Sequence, residues 1–403
     1  MNKINLDNHK NILFLQGPMG TFFKTMDLEF RKRGNNTFRI GFNVGDWFFS
    51  KKDNYTPYRG KKDEWGEFIY KFLKENKINT VFLFGDCRFY QRIALQSANE
   101  LSIDIFVFEE GYIRPDFITM ERFGVNDFSH IPRNHDFYKA LNSTQFKHEK
   151  IFDAQSNYYR RALSASTYFV LRDLFWFLYP HYEHHNHHNF MIETFFGIRN
   201  VLRKYKYMIT EMSLLEKVIH RQKDNYYFIP LQTYNDFQIK EHSNFSSIEE
   251  FIEKCIYSFS KFAPKSTQLV IKHHPMDRGR KDYTQFINTL SEELGIRERV
   301  ISIHDLHIPS CLKNAIGTIT INSTVGISSL YHHTPTITLG NSIYDIEGLT
   351  CKGMTLDRFW KEYTPPDKML FEKFRLYLIA KTQLNGSFYG RFPNALKYHS
   401  WDP

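Results

Sequence analysis

The stretch DIFVFEEGYIRP, residues 104–115, decides the fold. Asp104–Phe108 is a short apolar run, closed at once by Glu109-Glu110-Gly111. A run of that length ending in a polar, glycine-bearing turn fits a parallel strand buried on both faces. The same form recurs upstream. Asn11–Leu15 is closed by Gly17-Pro18-Met19-Gly20, Thr80–Phe84 by Gly85-Asp86, and Thr37–Phe42 reads as a further strand. Between these runs, Phe22–Arg33, Glu64–Glu75 and Gln91–Leu101 carry apolar residues at helical spacing. Strand-helix alternation of this kind predicts a parallel sheet with helices on both faces.

Working outward, the region from about Asn142 to Asp224 has few strand signals and many aromatic and basic residues. It reads as helical, with a polar break at His181–Asn189. Alternation resumes with strands at Asn225–Pro230, Gln268–Lys272, Val300–Ile303, Gly317–Ile321 and Thr336–Leu339. Helices at Ile248–Phe262, Tyr283–Leu294 and Pro309–Asn314 separate them, and another follows Asn322-Ser323-Thr324-Val325-Gly326. Pro366–Leu384 reads as an amphipathic helix. The expected organisation is a first α/β domain over 1–190 with an aromatic-rich helical insertion from about 142, a second α/β domain over 225–350, and a helical tail over 351–403 packing back across both.

A chain of 403 residues exceeds what one core usually supports, which agrees with two domains. Aromatics make up 17% of it, with 39 Phe and 24 Tyr, more than cores alone require. The formal net charge of +9 suits a phosphorylated substrate, an anionic membrane or nucleic acid. The basic residues are dispersed and no nucleic-acid-binding motif is present, so no nucleic-acid partner is expected. The N-terminal residues lack the apolar core of a signal peptide, and no apolar stretch reaches the roughly 18 residues of a transmembrane helix. The four cysteines, Cys87, Cys255, Cys311 and Cys351, are too scattered for a zinc or redox motif. A cytoplasmic location is the expectation.

Ligands of open parallel sheets bind beyond the carboxyl ends of the strands. Here those positions read Gln16-Gly17, Gly85-Asp86, Glu109-Glu110-Gly111, Gln232, His274-Pro275 and Asn322-Ser323-Thr324. Turns favour Gly, Asp, Asn and Ser on their own account, but six polar turns on one edge exceed that bias. Two adjacent carboxylates after a buried strand repel one another and lose water. Both effects raise a carboxylate pKa, which suits a general base. A carboxylate also serves as nucleophile in sugar chemistry. Neighbouring strand residues diverge, so one glutamate faces the substrate and the other supports it. Arg114 lies just beyond and can meet either an acid or a substrate carboxylate.

His274 precedes a proline, which favours an extended backbone, and an imidazole so placed can donate to a phosphate oxygen. Lys272 and Arg278 add positive charge, while His273 is expected to turn into packing. Ser323-Thr324 can cap the following helix or bind phosphate at its start; the two roles are compatible. The turn at Gly17 lacks the Gly-Lys-Ser/Thr ending of a P-loop, and no G-x-G-x-x-G pattern is present. His181, His184, His185, His187 and His188 show no ordered ligand spacing, so a solvated loop is expected rather than a metal site. Tyr168–Tyr182, aromatic and close to Arg160, Arg161 and Arg172, reads equally as a buried helix or a membrane contact.

Several stretches together resemble the KpsS-type, or LipB-type, β-Kdo transferases of Gram-negative capsule synthesis. They are LFLQGPMGTFF (13–23), FGDCRFY (84–90), FEEGYIRPDFIT (108–119), LQTYNDFQI (231–239), KHHPMDRG (272–279), TINSTVGISSL (320–330) and YDIEGLT (344–350). The resemblance implies a GT-B-like architecture, two Rossmann-like domains with a cleft between them. It implies a glycosyltransferase using CMP-β-Kdo, with retention and with neither cofactor nor metal. Its acceptor would be phosphatidylglycerol or its lyso form, at an anionic inner-membrane surface beside other capsule proteins such as KpsC-type transferases.

By motif match, Glu110 is the catalytic carboxylate and Glu109 its support. Many relatives carry Asp at that position, and attack or proton removal by Glu110 both stay open. His274-Pro275 would hold the CMP phosphate, with His274 as acid for the leaving group. Ser323, with Asn322 and Thr324 beside it, would bind the same phosphate, and Lys272 and Gln232 would contact the donor. Gln16, Gly17, Asp86, Arg88 and Arg114 fall on the acceptor side. Two alternatives are a transferase for another CMP-sugar such as sialic acid, and a non-catalytic capsule-assembly or lipid-binding factor.

Overall fold

In a computed structural model, each apolar run read above as a strand lies in one of two sheets. The structure describes residues 4–5, 10–50, 52–142, 144, 146, 150–184, 188–216, 218, 225–397 and 400–401. The strands are β1 (Asn11–Leu15), β2 (Asn36–Gly41), β3 (Tyr55–Pro57), β4 (Thr80–Phe84), β5 (Asp104–Glu110), β6 (Phe117–Arg122), β7 (Tyr226–Pro230), β8 (Gln268–Lys272), β9 (Val300–Ile303), β10 (Gly317–Thr320), β11 (Thr336–Thr338) and β12 (Gln383–Asn385). A two-residue ladder joins Ile4–Asn5 to Ser400–Trp401. The helices used below are α1 (Phe22–Lys32), α2 (Trp65–Glu75), α3 (Phe89–Glu100), α4 (Tyr158–Leu174), α5 (Phe190–Thr210), α6 (Ile248–Phe262), α7 (Thr284–Glu293), α8 (Val325–Tyr331) and α9 (Lys368–Thr382).

The chain divides into two units. Met1–His130, Thr144–Glu193 and Tyr377–Pro403 form one; Ile131–Ser143 and Thr194–Leu376 form the other. The first holds a seven-stranded sheet in the order β12-β6-β5-β4-β1-β2-β3. β3, β2, β1, β4 and β5 run parallel, while β6 and β12 add an antiparallel edge. The second holds five parallel strands in the order β9-β8-β7-β10-β11. Numbered from each unit's own first strand, both parallel blocks read 3-2-1-4-5. That is the doubly wound Rossmann order, which reverses direction beside the first strand.

The strand runs read as continuously apolar because helices cover both faces. In β1, Ile12 and Phe14 enter one core with Phe82, Phe106 and Phe108, while Leu13 and Leu15 enter another with Val81, Val107 and Trp65. Phe14 stacks on Phe82 and Phe82 on Phe106, with centroids 5.5 and 5.1 Å apart, which uses part of the phenylalanine surplus. In the second unit α6 buries Ile252, Ile256 and Phe259 on its sheet. Each such side chain contributes roughly 1.5–3 kcal/mol. Ser247 starts α6 by accepting from Glu250 N–H at 3.2 Å. All four cysteines are buried free thiols.

The antiparallel edge departs from the sequence expectation of a wholly parallel first sheet. Phe117–Arg122, given no element in the sequence reading, is a strand, and Leu384 lies in β12 rather than at the end of a helix. β12 has three residues, too few for periodicity to register. The tail contributes α9 and then, from Tyr377 onward, belongs to the first unit.

Candidate functional site

Each sheet has its switch point where strand order reverses, and each carries predicted residues there. In the first unit Gln16-Gly17 follow β1 and Gly85-Asp86 follow β4. The neighbouring β5 does not stop at Phe108, as its sequence suggested, but runs on through both glutamates. Pairing with β6 extends it, with Glu109 opposite Thr119 and Glu110 opposite Ile118. Alternation then sends Glu109 to the face of Val107 and Glu110 to the face of Phe108. Gly111 closes the strand. A Cβ there would stand 2.1 Å from the Phe117 carbonyl oxygen, a backbone atom that cannot swing aside, so only glycine fits.

The two carboxylates differ. Glu109 Oε1 accepts the Glu110 N–H at 2.9 Å. Burial, aided by the charges of Glu110 and Asp86, still lifts its carboxyl from the ordinary 4.5 to about 7, against that bond and Arg88. Glu110 lies 3.6 Å from the guanidinium of Arg161 on α4, which itself stands over the Tyr389 ring at 5.7 Å. Asp86 is buried, accepting Val125 N–H at 2.8 Å and the Cys87 thiol at 3.2 Å. Arg88 rests over Phe84 at 5.7 Å. Arg114 Nε folds back onto the Gly111 carbonyl at 3.2 Å, so it braces the turn after the pair.

Folding therefore holds a proton on Glu109 that the unfolded chain releases nearer 4.5. The native state binds more protons, so stability falls as pH rises from 4.5 through about 7. Glu109→Gln removes that charge and keeps an acceptor for Glu110 N–H. Its thermal midpoint should exceed the parent's at about pH 8 and match it at about pH 4. Equal midpoints at the higher pH would mean that the carboxyl is not desolvated.

Gln16 was expected on the acceptor side, but its polar atoms meet protein. Its Nε2 lies 3.2, 3.1 and 2.9 Å from Asp46 Oδ2, Tyr168 Oη and Tyr182 Oη, and its Oε1 accepts from Gln91 at 3.1 Å. Burial raises Asp46 to about 6, opposed by donors that include Phe42 N–H. This network joins the end of β1 to α4 and the loop after it. It also divides Tyr168–Tyr182: Tyr168, Arg172 and Tyr179 are buried, whereas Leu174, Trp176 and Phe177 are exposed. Arg172 is held by Asp173 at 2.6 Å and by the His188 carbonyl at 2.7 Å, so it offers little to lipid phosphate. A cavity of about 320 Å³ nearby, lined in part by Asn43, Arg172, Tyr182 and His188, involves none of the residues predicted at the strand ends. Of the histidine patch, His185 and His187 lie outside the described residues; His184 packs on Tyr168, Phe169 and Tyr182.

In the second unit the switch point lies between β7 and β10. Gln232, after β7, donates from Nε2 to Asn322 Oδ1 at 2.9 Å and to Asp236 Oδ2 at 3.1 Å, and its Oε1 accepts Asn322 N–H at 3.3 Å. The predicted pair is thus one hydrogen-bonded unit. The capping bond of α8 is made by Ser323, whose Oγ accepts Val325 N–H at 3.3 Å; Thr324 occupies the cap position without one. Tyr344 O–H donates to the Ser323 carbonyl at 2.6 Å and lies over Gly326, where a Cβ would stand 2.1 Å from its oxygen. The stretches around Ser323 and Tyr344 therefore form one loop pair.

His273 and His274 separate as expected. His273 is buried between the rings of Tyr283 and His304, its Nε2 accepting Tyr283 N–H at 2.9 Å. Burial, then the neighbouring His304, pulls its pKa down to about 4. His274 is extended, and its Nδ1 accepts Met276 N–H at 3.2 Å. That places the proton of the neutral ring on Nε2. Lys272 departs from its predicted donor contact. Its ammonium is buried beneath the edge, donating to the carbonyls of His273 and His304 at 3.3 and 3.1 Å, and burial lowers its pKa. Arg278 likewise grips Asp305 at 2.7 Å and Asn200 at 3.1 Å.

Sequence reasoning missed Asp277, Tyr344 and His304. Asp277 accepts Tyr234 N–H at 2.8 Å, and burial lifts it to about 7. His304 directly follows β9, so the strand-end rule could have found it. Its Nδ1 lies 2.7 Å from Glu211, its Nε2 3.4 Å from Asp282, and its ring stacks on Tyr207 with centroids 3.8 Å apart. Burial opposes charge on His304, yet the two carboxylates outweigh it and its pKa is raised. His273, Asp282 and His304 bring ligand atoms within 4.8 Å of each other. Both rings, however, already have protein partners, so the cluster reads as a knot holding strand ends rather than a cation seat.

The family described as capsule polysaccharide biosynthesis protein matches residues 79–389 of the chain. The capsule polysaccharide export protein KpsS of Escherichia coli is 38% identical over 94% of this chain and 97% of its own length. The capsule polysaccharide modification protein LipB of Neisseria meningitidis serogroup A is 36% identical over 96% of this chain and 94% of its own. Among solved structures, the β-Kdo 2,7 transferase of KpsC from Thermosulfurimonas dismutans aligns over 96% of this chain and 97% of its own, with a TM-score of 0.44 and 14% identity.

Proposed function

Since the chain belongs to the family of capsule polysaccharide biosynthesis proteins, we propose that it is a glycosyltransferase that moves Kdo from CMP-β-Kdo to a phosphatidylglycerol lipid, with retention. The observation that carries this reading is the unequal acidic pair at the end of β5. One carboxylate is ion-paired with Arg161; the other is desolvated and titrates near 7. Carboxyl groups pushed into different environments divide into different roles.

In the proposed first step the Glu110 carboxylate attacks the anomeric carbon. The bond from that carbon to the CMP phosphate oxygen breaks, and its electron pair leaves on the phosphate. His274 Nε2–H donates to that oxygen, with Ser323 and Thr324 as further hydroxyl donors. In the second step the acceptor hydroxyl oxygen attacks the same carbon, displaces the Glu110 carboxylate and passes its proton to the released CMP phosphate, while Glu109, on the other face of β5, holds the Glu110 backbone. Two inversions leave the β configuration unchanged. Gln232 and Asn322 shape the loop beneath the phosphate contacts.

The test is incubation of purified protein with CMP-Kdo or CMP-sialic acid and a fluorescent phosphatidylglycerol. A β-linked Kdo lipid is expected. Product from the sialic acid donor alone would replace Kdo in this reading, and no product from either would leave a binding factor.

A further inference from the structure

Helix α5 turns one face inward and leaves the other bare. On the inward face Tyr207 stacks on His304 and donates to Asp282 at 3.0 Å, and Arg203 donates to the Arg278 carbonyl at 3.0 Å. On the outward face Phe195, Ile198, Leu202, Tyr205 and Ile209 recur at spacings of three and four, with Met212 just beyond, and each is 58% to 69% exposed. Apolar residues at that spacing form one continuous stripe. A contiguous exposed apolar surface marks an interaction site.

Charge selects the occupant. At 3.6 residues per turn, Arg199 and Lys206 fall along one edge of the stripe and exposed Lys204 along the other. The one acidic residue between Thr194 and Met212 is Glu211, which is turned inward to His304. Two copies of this face would bring like charges together. No helix among the described residues is long and apolar enough to cross a membrane. An apolar stripe with an aromatic ring and basic edges matches a helix lying in the plane of an anionic bilayer.

We propose that the outward face of α5 docks on an anionic lipid surface, its apolar side chains at the acyl boundary and Arg199, Lys204 and Lys206 at headgroup phosphates. The proposal rests on the lipid-acceptor reading above and names the surface that brings the protein to that lipid. The inward face of the same helix is bonded to the loop after β8, at Arg278 and Asp282, and stacks on His304, which directly follows β9. Docking therefore holds the bilayer about one helix diameter, ~10 Å, from the strand edge that carries His274.

The test is co-sedimentation of the full chain with vesicles of phosphatidylcholine alone and with phosphatidylglycerol added. Binding is expected only to the second and should weaken with salt. The variant Leu202→Glu/Ile209→Glu should bind at least tenfold more weakly at an unchanged thermal midpoint, since both side chains are exposed. Equal binding by parent and variant, or none by the parent, overturns the proposal. So does a parent dimer that the variant abolishes while vesicle binding is absent, because the stripe then belongs to a second copy. Transfer to a soluble short-chain phosphatidylglycerol separates the two readings. A parent that transfers to it but binds no vesicles loses only the docking face. A parent that binds vesicles but transfers to neither acceptor keeps the docking face and loses the enzyme.

Discussion

Glu110→Gln is expected to slow sugar transfer by on the order of 10⁴-fold or more, the scale seen when a nucleophile is removed, while the chain stays folded. The amide keeps the shape of the side chain but cannot form the glycosyl ester. Little stability is at risk. The Glu110 carboxylate is over a third exposed and its ion pair is with Arg161 at 3.6 Å, a half-exposed pair worth at most about 1 kcal/mol. Initial rates with CMP-Kdo, together with thermal midpoints, check both halves. A variant that retains most of the parent rate sinks Glu110 as the reacting carboxylate. Donor supplied without acceptor goes further: one Kdo mass on the peptide bearing Glu110 marks attack, and an unmodified peptide marks proton removal.

His274→Ala should lower kcat by roughly 10²–10³-fold, the usual loss when a donor to developing charge is removed. His273→Ala should act elsewhere. Its ring is buried, stacked on His304 at 4.1 Å and bonded to Tyr283 N–H, so its loss opens a hole and strands an amide. The thermal midpoint falls, and the rate per folded molecule stays near the parent's. CMP binding by calorimetry gives a second reading, weakened in His274→Ala alone. A rate loss of equal size in both variants, at equal midpoints, would dissolve the division between these two histidines.

The acidic pair and the histidine pair show how far the sequence could be read. Each was legible as the end of an apolar run, because a strand buried on both faces is continuously apolar, although pairing with β6 carries β5 on through both glutamates. The divergence of Glu109 and Glu110 was also legible, since strand side chains alternate. Their environments were not. Arg161 reaches Glu110 from α4, and a helical pattern gives no sign of which strand end it will meet. Lys272 is the opposite lesson: a lysine at a strand end looks available, yet here it is buried beneath the edge, donating to the carbonyls of His273 and His304 just past two strands. The antiparallel strands β6 and β12 escaped notice because each is defined by its partner. Three residues at Gln383–Asn385 carry no period of their own, but pair readily once β6 is in place.

The sequence by itself determined two α/β units, the strands at the centre of each sheet, and the short list of turns where ligand chemistry can occur. Local forces suffice for that, since apolar runs, glycine turns and helical spacing are properties of neighbouring residues. Tertiary structure alone decided which carboxylate is desolvated, which rings enclose His273, which cations are consumed in bracing the strand ends, and that α5 leaves an apolar face bare. Those outcomes depend on burial and on partners distant in sequence, and both are set only when sheet order brings the strand ends together.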